Sequence, residues 1–423
     1  MIKSLTIRNF RSIKDEQVLD LTAAKSKELH EENAVIFEGK KFAVLKSIGI
    51  YGANASGKSN ILLAFRALEY MITESSDWKL DETIQCYEPF KFDKKTSNAP
   101  SMFEVEFIGE DKLLYIYRVE FTVDAILHES LGFYPTTQKA NLFSRSVDKE
   151  GNLKFTPGAR LKGKVKSIPC LKNNLYLSKA ANTEGAPEIL KDIYRFFKHR
   201  VVTISPNNGI EARNLLKNKK QRNAMIALLA CADTGITGIQ LKEQDINVDS
   251  LQLPEELPET FKKHIIENNK YKPVFFHHDN NECELSLEEE SRGTRRLFEI
   301  SPLLLVGLRR GDIIIIDEID SSLHPHISEI LIKLFHDPMI NKNGAQLIFT
   351  THDMTLMNAE FMRRDQIVLT EKDDNGATEL FSLDGIEGVR KDSPYAKWYM
   401  DGRMGAVPRL DISRLKQLLK DEE

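Results

Sequence analysis

The chain opens with alternating apolar and polar residues, the pattern of a strand that buries one face. This strand is predicted over Ser4–Phe10, and a second β-like run, Phe42–Ile50, leads into a glycine-rich turn. After the turn, apolar residues between Asn60 and Tyr70 recur at the spacing of one helical stripe. The residues on that stripe are Ile61, Leu62, Phe65 and Leu68. The pattern therefore predicts a strand, a turn and a helix in direct succession.

Strands and helices continue to alternate along the rest of the chain. Two β-rich runs between Phe103 and Phe121 flank the charged turn Glu110–Lys112, which predicts a hairpin, and residues 187–270 have mostly helical spacing. The elements expected after residue 272 are a strand near Val274, a helix over Thr294–Leu308, a strand of isoleucines, a helix over 326–336, and strands at Gln346–Thr350 and Gln366–Leu369. This order predicts an α/β fold with a largely parallel sheet, an antiparallel β subdomain and a mostly helical insert.

Length and composition narrow the class of protein. The 423 residues suffice for two or three domains, or for one domain with a large insertion. Hydrophobic residues make up 41% and charged residues 29%, the balance of a globular protein. The apolar runs are far shorter than the roughly 18 residues that a membrane span needs, and the charged first residues hold no signal-peptide core. We therefore expect a cytoplasmic protein with no membrane partner. The net charge of −4 does not decide whether nucleic acid binds.

The glycine-rich turn carries the phosphate-loop pattern G-x-x-x-x-G-K-[ST]. Its residues are Gly52, Ala53, Asn54, Ala55, Ser56, Gly57, Lys58 and Ser59, and Asn60 follows in the predicted helix. Glycines let backbone N–H groups wrap phosphate oxygens at the start of a helix, whose dipole favours anions. Lys58 is expected to reach the β- and γ-phosphates of ATP, and Ser59 to ligate Mg²⁺. The alternative, a surface glycine turn, does not account for the strand before it and the helix after it.

The isoleucine strand Ile313–Ile316 ends in two carboxylates, Asp317 and Glu318. In α/β folds, ligands bind at the carboxyl ends of such buried strands. Asp317 is therefore expected to hold Mg²⁺, and Glu318 to polarise the attacking water as a general base. A hydrophobic strand that merely happens to end in acidic residues is the alternative.

Two further segments have both a functional and a structural interpretation. In Glu290–Thr294, Ser291 and Gly293 open an amphipathic helix, which can bind an anion or can be an ordinary helix cap with Ser291 as the capping residue. His352 follows the strand at Gln346–Thr350 and can donate a hydrogen bond to a γ-phosphate, although a lone histidine there is more often structural. The order of the motifs decides between these interpretations.

That order is a phosphate loop, a long insert, an S-x-G helix, a hydrophobic strand ending in Asp-Glu, S-x-L-H-P at 321–325 and T-T-H-D at 350–353. It resembles the ABC-type ATPase heads of SMC and RecF proteins and of the OLD (overcoming lysogenization defect) ATPases. The closest resemblance is to stand-alone OLD-like ATPases of bacterial phage-defence operons, of the AbiL and RloA type. The run L-x-I-x-N-F-R-S at 5–12 and the late Y-M-D-G-R-M-G-A-V-P at 399–408 are also similar to that group.

The resemblance implies a P-loop NTPase with an ABC-ATPase-like head. Its domains would be an ATPase lobe over 1–170 with the phosphate loop and the β subdomain, a helical insert over 171–271, and a second lobe over 272–423. Two heads would stack head to tail as a homodimer or a higher homo-oligomer. The nucleotide would then lie between Gly52–Asn60, Asp317, Glu318 and His352 of one copy and Ser291 and Gly293 of the other, with Lys58, Glu318 and His352 as the catalytic residues. Arg11 would contact the nucleotide as well.

The resemblance also implies a function, an ATP-driven switch that controls a separate effector in an anti-phage, abortive-infection system. OLD nucleases carry a nuclease domain after the ATPase, and only about 70 residues follow His352 here, so a nuclease-like effector encoded in the same operon is expected. One departure lies in the signature segment, which is L-S-G-G-Q in transporters and E-S-R-G-T at 290–294 here. Arg292 occupies the position of a glycine. The glutamine that senses Mg²⁺ in many ABC proteins has no clear counterpart.

Two other functions remain open from the sequence. Basic residues without acidic ones occupy 151–183, and a second basic cluster lies at 213–222, either of which can bind DNA or RNA or form a solvated rim. The basic residues are Lys154, Arg160, Lys162, Lys164, Lys166, Lys172 and Lys179, and then Arg213, Lys217, Lys219, Lys220 and Arg222. A RecF-like DNA-repair or DNA-tethering ATPase is therefore the alternative function. A scaffold that binds ATP without turning it over is the third, and the intact Lys58, Asp317 and Glu318 argue against it.

Overall fold

The computed structural model describes residues 1–148, 153–163, 167–204, 215–243, 262, 270–277, 280–408 and 411–413. The chain folds into two compact units. The smaller unit contains residue 1 and residues 195–351, and the larger unit contains residues 2–194 and 352–423. These units cut across the division into 1–170, 171–271 and 272–423 that the sequence suggests. Of the helices within the described ranges, none combines the length and apolar character needed to cross a bilayer.

The described strands and helices follow one another along the whole chain. The strands are β1 (Ile2–Arg8), β2 (Gln17–Asp20), β3 (Ala34–Ile36), β4 (Ala43–Leu45), β5 (Ser47–Gly52), β6 (Ser101–Ile108), β7 (Leu114–Phe121), β8 (Ile126–Tyr134), β9 (Ala140–Val147), β10 (Leu153–Pro157), β11 (Val201–Ile204), β12 (Ile236–Glu243), β13 (Tyr271–His277), β14 (Asn280–Ser286), β15 (Ile313–Ile316), β16 (Gln346–Thr350), β17 (Ile367–Lys372) and β18 (Thr378–Ser382). The helices are α1 (His30–Asn33), α2 (Lys58–Glu74), α3 (Tyr176–Ala181), α4 (Glu188–Arg200), α5 (Lys219–Cys231), α6 (Arg292–Arg310), α7 (Pro325–His336) and α8 (Tyr395–Met400).

An antiparallel sheet forms a large part of the larger unit. Its strands lie in the order β10-β9-β8-β7-β6-β1-β2, and every neighbouring pair is antiparallel. The predicted hairpin is confirmed as β6 and β7, with Val105 opposite Tyr117. Along β7, Tyr117 and Phe121 are fully buried, whereas Arg118 on the other face is half-buried. This alternation is the strand period that the sequence shows, and it places one face of the sheet in the core.

Strand β5 carries the phosphate loop within the larger unit. It pairs in parallel with β17, which pairs antiparallel with β18. Every residue of β5 is buried, so the strand is covered on both faces and reads as a continuous apolar run. Helix α2 begins at Lys58, and the predicted stripe is confirmed because Ile61, Leu62, Phe65 and Leu68 are buried. The strand, the loop and the helix therefore form the unit that a P-loop NTPase requires.

Parallel strands also form the centre of the smaller unit. Strands β11, β15 and β16 lie side by side in that order, with Ile204 beside Ile316 and Ile316 beside Phe349. The four isoleucines of β15 are at most 1% exposed, so they form the core of this unit. Helix α6 begins after the cap Ser291 and ends at Gly311, whose φ of 78° gives the left-handed conformation typical of helix ends. The α/β P-loop NTPase fold and the antiparallel β subdomain are as the sequence predicts.

The segment 171–271 contains helices and also strands that the helical pattern does not predict. Helices α3, α4 and α5 lie in it as expected. However, β11 follows α4 directly and joins the parallel strands, and β12 pairs antiparallel with β13, which pairs with β14. A β-branched run of four residues without a turn before it, Val201–Ile204, is too short for the periodicity to separate it from the end of a helix.

Candidate phosphate-binding site

The phosphate loop makes a tight turn between β5 and α2. Gly52 and Gly57 have φ of 152° and 109°, and Ala55 at the exposed tip has φ of 60°. A Cβ on Gly52 would overlap the carbonyl of Thr370, and a Cβ on Gly57 would lie 2.8 Å from Ser12 Oγ. Both positions therefore require glycine for two reasons, the left-handed backbone and the close approach of a neighbouring segment.

The start of α2 is suited to an anion. Its N-cap, Gly57, supplies no capping side chain, and the first turn contains no acidic residue. The positive end of the helix dipole is thus not neutralised by the helix itself. Lys58 is 6% exposed, and its Nζ donates hydrogen bonds to the carbonyls of Gly52 and Ala53, over 2.9 and 3.0 Å. A buried cation, a helix N-terminus and a turn of backbone amides fit a polyphosphate, and the hydroxyl of Ser59 at the same helix end fits Mg²⁺.

Hydroxyl groups from distant parts of the chain hold the loop in place. Ser56 Oγ lies 2.6 Å from Thr370 Oγ1, which also donates to the carbonyl of Tyr51 over 3.1 Å. Thr378 Oγ1 donates to the carbonyl of Ser56 over 2.8 Å and lies 2.7 Å from Ser12 Oγ. Strands β17 and β18 and the turn after β1 thus fix the middle of the loop. Sequence reasoning missed Thr370 and Thr378, which carry no motif.

Arg11 lies beside the first turn of α2. Its Nε donates to Glu88 Oε2 over 2.8 Å, and its Nη1 donates to Asn60 Oδ1 over 3.1 Å. Asn60 Nδ2 in turn donates to Ser12 Oγ over 2.6 Å. Arg11 itself has φ of 53°, so the turn after β1 is a tight one. The N-F-R-S turn and the loop are therefore connected by side-chain hydrogen bonds.

The carboxylates Asp317 and Glu318 lie in the smaller unit, directly after β15, and both are exposed. Thr350, at the end of the neighbouring strand β16, connects them. Its Oγ1 donates to Asp317 Oδ1 over 2.5 Å and accepts the backbone N–H of Glu318 over 2.7 Å. Glu318 has φ of 51°. Carboxylates on a strained turn, fixed by one buried hydroxyl, are typical of a functional site.

An arginine of helix α6 also lies near Glu318. Burial lowers the pKa of Arg296, and the negative charges of Glu299 and Glu318 oppose that shift. The Arg296 Nε is buried without a hydrogen-bond partner. The charge on Glu318 is thus close enough to influence a cation in the first turns of the signature helix.

The S-x-G segment caps its own helix. Ser291 Oγ accepts the backbone N–H of Thr294 over 3.1 Å, so Ser291 is the N-cap of α6, as the structural interpretation expects. Gly293 packs against the loop after β15, because a Cβ there would lie 2.8 Å from the carbonyl of Ser322. Ser322 has φ of 63°. The signature segment and the loop Glu318–Leu323 are therefore in direct contact within the smaller unit.

The structure places the predicted site residues in two groups. The loop residues Gly52–Asn60 lie in the larger unit, and so does His352, which is exposed at the start of that unit's second segment. Asp317, Glu318, Ser291 and Gly293 lie in the smaller unit. Within the described residues, no group of three or more histidine, cysteine, aspartate or glutamate side chains is arranged to hold a metal ion. The convergence of the two groups on one nucleotide stays a prediction.

Comparison with protein families identifies the family of the chain. The family model described as "AAA domain, putative AbiEii toxin, Type IV TA system" matches residues 47–358. No curated protein sequence matches the chain.

Solved structures to which the chain is similar include SMC heads and RecF. The SMC head bound to the C-terminal winged-helix domain of ScpA is 14% identical, with 90% of this chain and 97% of that chain covered and a TM-score of 0.41. The recombination mediator protein RecF in the RecFOR pathway is 13% identical, with coverages of 90% and 98% and a TM-score of 0.35. The SMC head domain from Pyrococcus yayanosii, with a coiled coil and joint, is 12% identical, with coverages of 95% and 99% and a TM-score of 0.38.

Proposed function

Because the chain belongs to the AAA-domain family whose model covers residues 47–358, we propose that it is a cytoplasmic ATPase that acts as a switch. The observation that carries this proposal is the phosphate loop itself. Lys58 is buried at a helix N-terminus that has no capping side chain and no acidic residue in its first turn. Such an arrangement favours an anion, because the positive charge of Lys58 and the positive end of the helix dipole lie together. The phosphates of a nucleotide triphosphate supply that anion.

In this proposal each predicted residue has a distinct role. Lys58 and the amides of Gly52–Ser59 other than that of Ala53, which donates to the Ala406 carbonyl, hold the phosphates. Ser59 and Asp317 offer oxygen ligands of the kind that Mg²⁺ prefers. The bound Mg²⁺ would neutralise charge on the phosphates. Glu318 takes a proton from the attacking water as the water oxygen bonds to the γ-phosphorus and the bond to ADP breaks. His352 donates a hydrogen bond to the γ-phosphate.

We further propose that the complete site needs two copies of the chain, stacked head to tail. Ser291 and Gly293 of one copy would then face the phosphates held by the other. A helix N-terminus with exposed Ser291 and no acidic residue in the first turn suits that role. The contact between Gly293 and the Ser322 carbonyl would transmit closure at one site to the loop that follows Glu318.

The biological role that we propose is regulation of a separate effector in an anti-phage, abortive-infection system. ATP would close the dimer, hydrolysis would open it, and a nuclease-like protein encoded in the same operon would be restrained or released accordingly. The description of the matched family, which names a toxin of a toxin–antitoxin system, supports a role of this kind.

Steady-state ATP hydrolysis by purified variants tests the enzymatic part. Lys58→Ala should abolish ATP binding and turnover. Glu318→Gln should bind ATP but turn it over at least about a hundredfold more slowly, the usual cost of losing a general base. Lys79→Ala, an exposed lysine of the larger unit, is the matched control and should behave like the wild type. Wild-type turnover that survives Lys58→Ala would contradict the proposal.

The proposed partner can be identified with the slow variant. The Glu318→Gln protein, tagged at its native locus, should co-purify with a stoichiometric protein partner encoded nearby, detected by mass spectrometry. A nucleic-acid assay on the same preparation covers the alternative. Bound DNA without any protein partner would contradict the regulatory role.

A RecF-like DNA-binding ATPase is the second candidate, favoured by exposed basic residues. Lys217, Lys219 and Lys220 are exposed around the start of α5 in the smaller unit. Lys154, Arg160, Lys162 and Lys172 are exposed in the larger unit, whereas Lys164, Lys166 and Arg213 lie outside the described residues. Phosphate binding by these side chains would make DNA affinity fall steeply with salt.

Charge reversal tests this candidate. If DNA binds at the start of α5, the triple variant Lys217→Glu, Lys219→Glu, Lys220→Glu should weaken binding and flatten its dependence on log salt by up to about three units. Lys333→Glu, on the exposed face of α7, is the control. Equal DNA affinities of the triple variant and the wild type would show that DNA does not bind at the start of α5.

A further inference from the structure

A segment near the end of the described chain contacts the first x position of the phosphate loop. The carbonyl of Ala406 accepts a hydrogen bond from the backbone N–H of Ala53 over 3.0 Å. The same carbonyl accepts a second bond from the hydroxyl of Tyr399 over 2.8 Å. The N–H of Ala406 donates to Glu371 Oε2 over 3.1 Å. Both backbone polar groups of Ala406 are therefore fixed, one of them by the loop.

The contact is a tightly packed one. Ala406 and Tyr399 are 1% and 2% exposed. Ala406 has φ of 60°, a left-handed conformation that a residue with a Cβ adopts only where its surroundings hold it. Gly405 before it also has a positive φ, and a Cβ there would lie 2.8 Å from Glu371 Oε2. Burial and the nearby Glu371 carboxylate raise the pKa of Tyr399, so its hydroxyl stays protonated and able to donate.

Glu371 is well placed to act on the loop, because it follows Thr370 directly on β17. Thr370 holds the loop through Ser56 and Tyr51, as described above. Glu371 holds it through Ala406 and Ala53. Between these contacts lies a groove of about 380 Å³, lined in part by Asn54, Ala55 and Val407. The shape of the first half of the loop is thus set from β17 and from the 399–407 segment.

We propose that Glu371 and Tyr399 are positioning residues for the phosphate loop, acting through Ala406, and that the 399–407 segment is coupled to nucleotide binding. This inference rests on the proposed ATPase function. The N–H of Ala53 is directed to a protein carbonyl, so the loop can keep the curvature that phosphate needs only while Ala406 stays in place. Coupling is reciprocal, so a segment that changes the affinity for ATP must itself respond to ATP.

Titration with fluorescent mant-ATP, together with steady-state kinetics, tests the positioning role. Glu371→Ala and Tyr399→Phe should each raise the Kd and the KM for ATP roughly three- to tenfold, the effect of losing one hydrogen bond, while kcat changes less than twofold. Glu371→Gln keeps an acceptor oxygen and should stay close to the wild type. Thermal melts identify any variant that fails to fold. Tyr399→Phe removes a single oxygen atom, so its Kd for ATP decides the test if Glu371→Ala does not fold.

Two matched controls come from the same elements. Tyr395 is also on α8, but its hydroxyl donates to the Lys391 carbonyl, so Tyr395→Phe should leave the affinity unchanged. Glu379 on β18 lies opposite Glu371 and is exposed, so Glu379→Ala should also have no effect. Equal loss in Tyr395→Phe and Tyr399→Phe would show a merely structural role for α8 and would overturn the inference.

Hydrogen exchange tests the coupling directly. ATP should slow the exchange of amides within residues 399–407 in the wild type and should not do so in Lys58→Ala. If the wild type binds ATP, Lys58→Ala does not, and the segment exchanges equally with and without ATP, the coupling is wrong while the ATPase proposal stands. If the wild type binds no ATP, the proposed function itself fails.

Discussion

Glu318 adopts a backbone conformation that a residue with a side chain disfavours. Its φ of 51° costs about 1 kcal/mol or more, and the hydrogen bond from its N–H to Thr350 Oγ1 helps to hold it. The same hydroxyl donates to Asp317. One threonine thus fixes the carboxylate of Asp317, which is proposed to bind Mg²⁺, and the backbone of Glu318, which is proposed to activate water.

Replacement of Thr350 by valine should therefore lower catalysis more than stability. Valine has nearly the same shape but no hydroxyl, so Asp317 loses a donor and the N–H of Glu318 loses its acceptor. We expect kcat to fall roughly tenfold or more, since small misplacements of catalytic groups are costly. Thr203→Val on β11, the strand on the other side of β15, is the control. A Thr350→Val enzyme with wild-type kcat would contradict the role of Thr350.

A substitution of the single residue Gly57 tests whether the phosphate loop requires its observed backbone conformation. A Cβ at this position would overlap Thr378 Oγ1 and would require an unfavourable φ of 109°. Gly57→Ala should lower the free energy of unfolding by about 1–3 kcal/mol and should abolish ATP binding, which urea denaturation and mant-ATP titration measure. Gly385→Ala is the control, because nothing lies within 4 Å of a Cβ there. A fully stable Gly57→Ala protein that binds ATP would show that the loop rearranges freely.

At the level of elements, the N-terminus of the signature helix α6 is in direct contact with the loop after β15. Gly293 approaches the carbonyl of Ser322 so closely that a methyl group at residue 293 must displace the loop. The loop begins at Glu318, so its displacement would reach the proposed general base. We therefore expect a movement of the helix N-terminus to change the position of Glu318 in the same copy.

Gly293→Ala should lower turnover roughly tenfold, because a Cβ at residue 293 displaces the loop that begins at Glu318. Steady-state ATP hydrolysis measures this loss. The control is Gly238→Ala on β12, where a Cβ would make an ordinary contact of 3.4 Å with Phe276. Unchanged turnover in Gly293→Ala would rule out the mechanical connection.

The elements that sequence periodicity predicts well are those with long or strongly apolar patterns. Strands β5, β15 and β16 and helices α2 and α6 lie where their patterns place them, within a few residues. Strand β11 was missed, because four residues directly after a helix carry no periodic signal of their own. The predicted site residues come from motifs, whereas Thr370, Thr378 and Ala406 support the loop from positions more than 300 residues away, and no local pattern encodes such contacts.

For the whole molecule, the division into two compact units has a functional consequence. The loop that would hold the phosphates belongs to residues 2–194 and 352–423, and the carboxylates and the signature segment belong to residues 195–351. Each unit carries groups that the proposed reaction needs, and neither contains all of them. The proposed reaction therefore depends on residues of both units.

The claim that two copies complete each site is tested most directly by mixing two inactive variants. Lys58→Ala lacks the phosphate contact, and Ser291→Arg blocks the signature surface, with Ser291→Ala as a control for loss of the helix cap alone. Hybrid dimers keep one intact site, so an equal mixture should regain about a quarter of wild-type ATPase activity, since half of random dimers are hybrids. A mixture that stays inactive, while differently tagged copies demonstrably co-purify, would contradict the shared-site account.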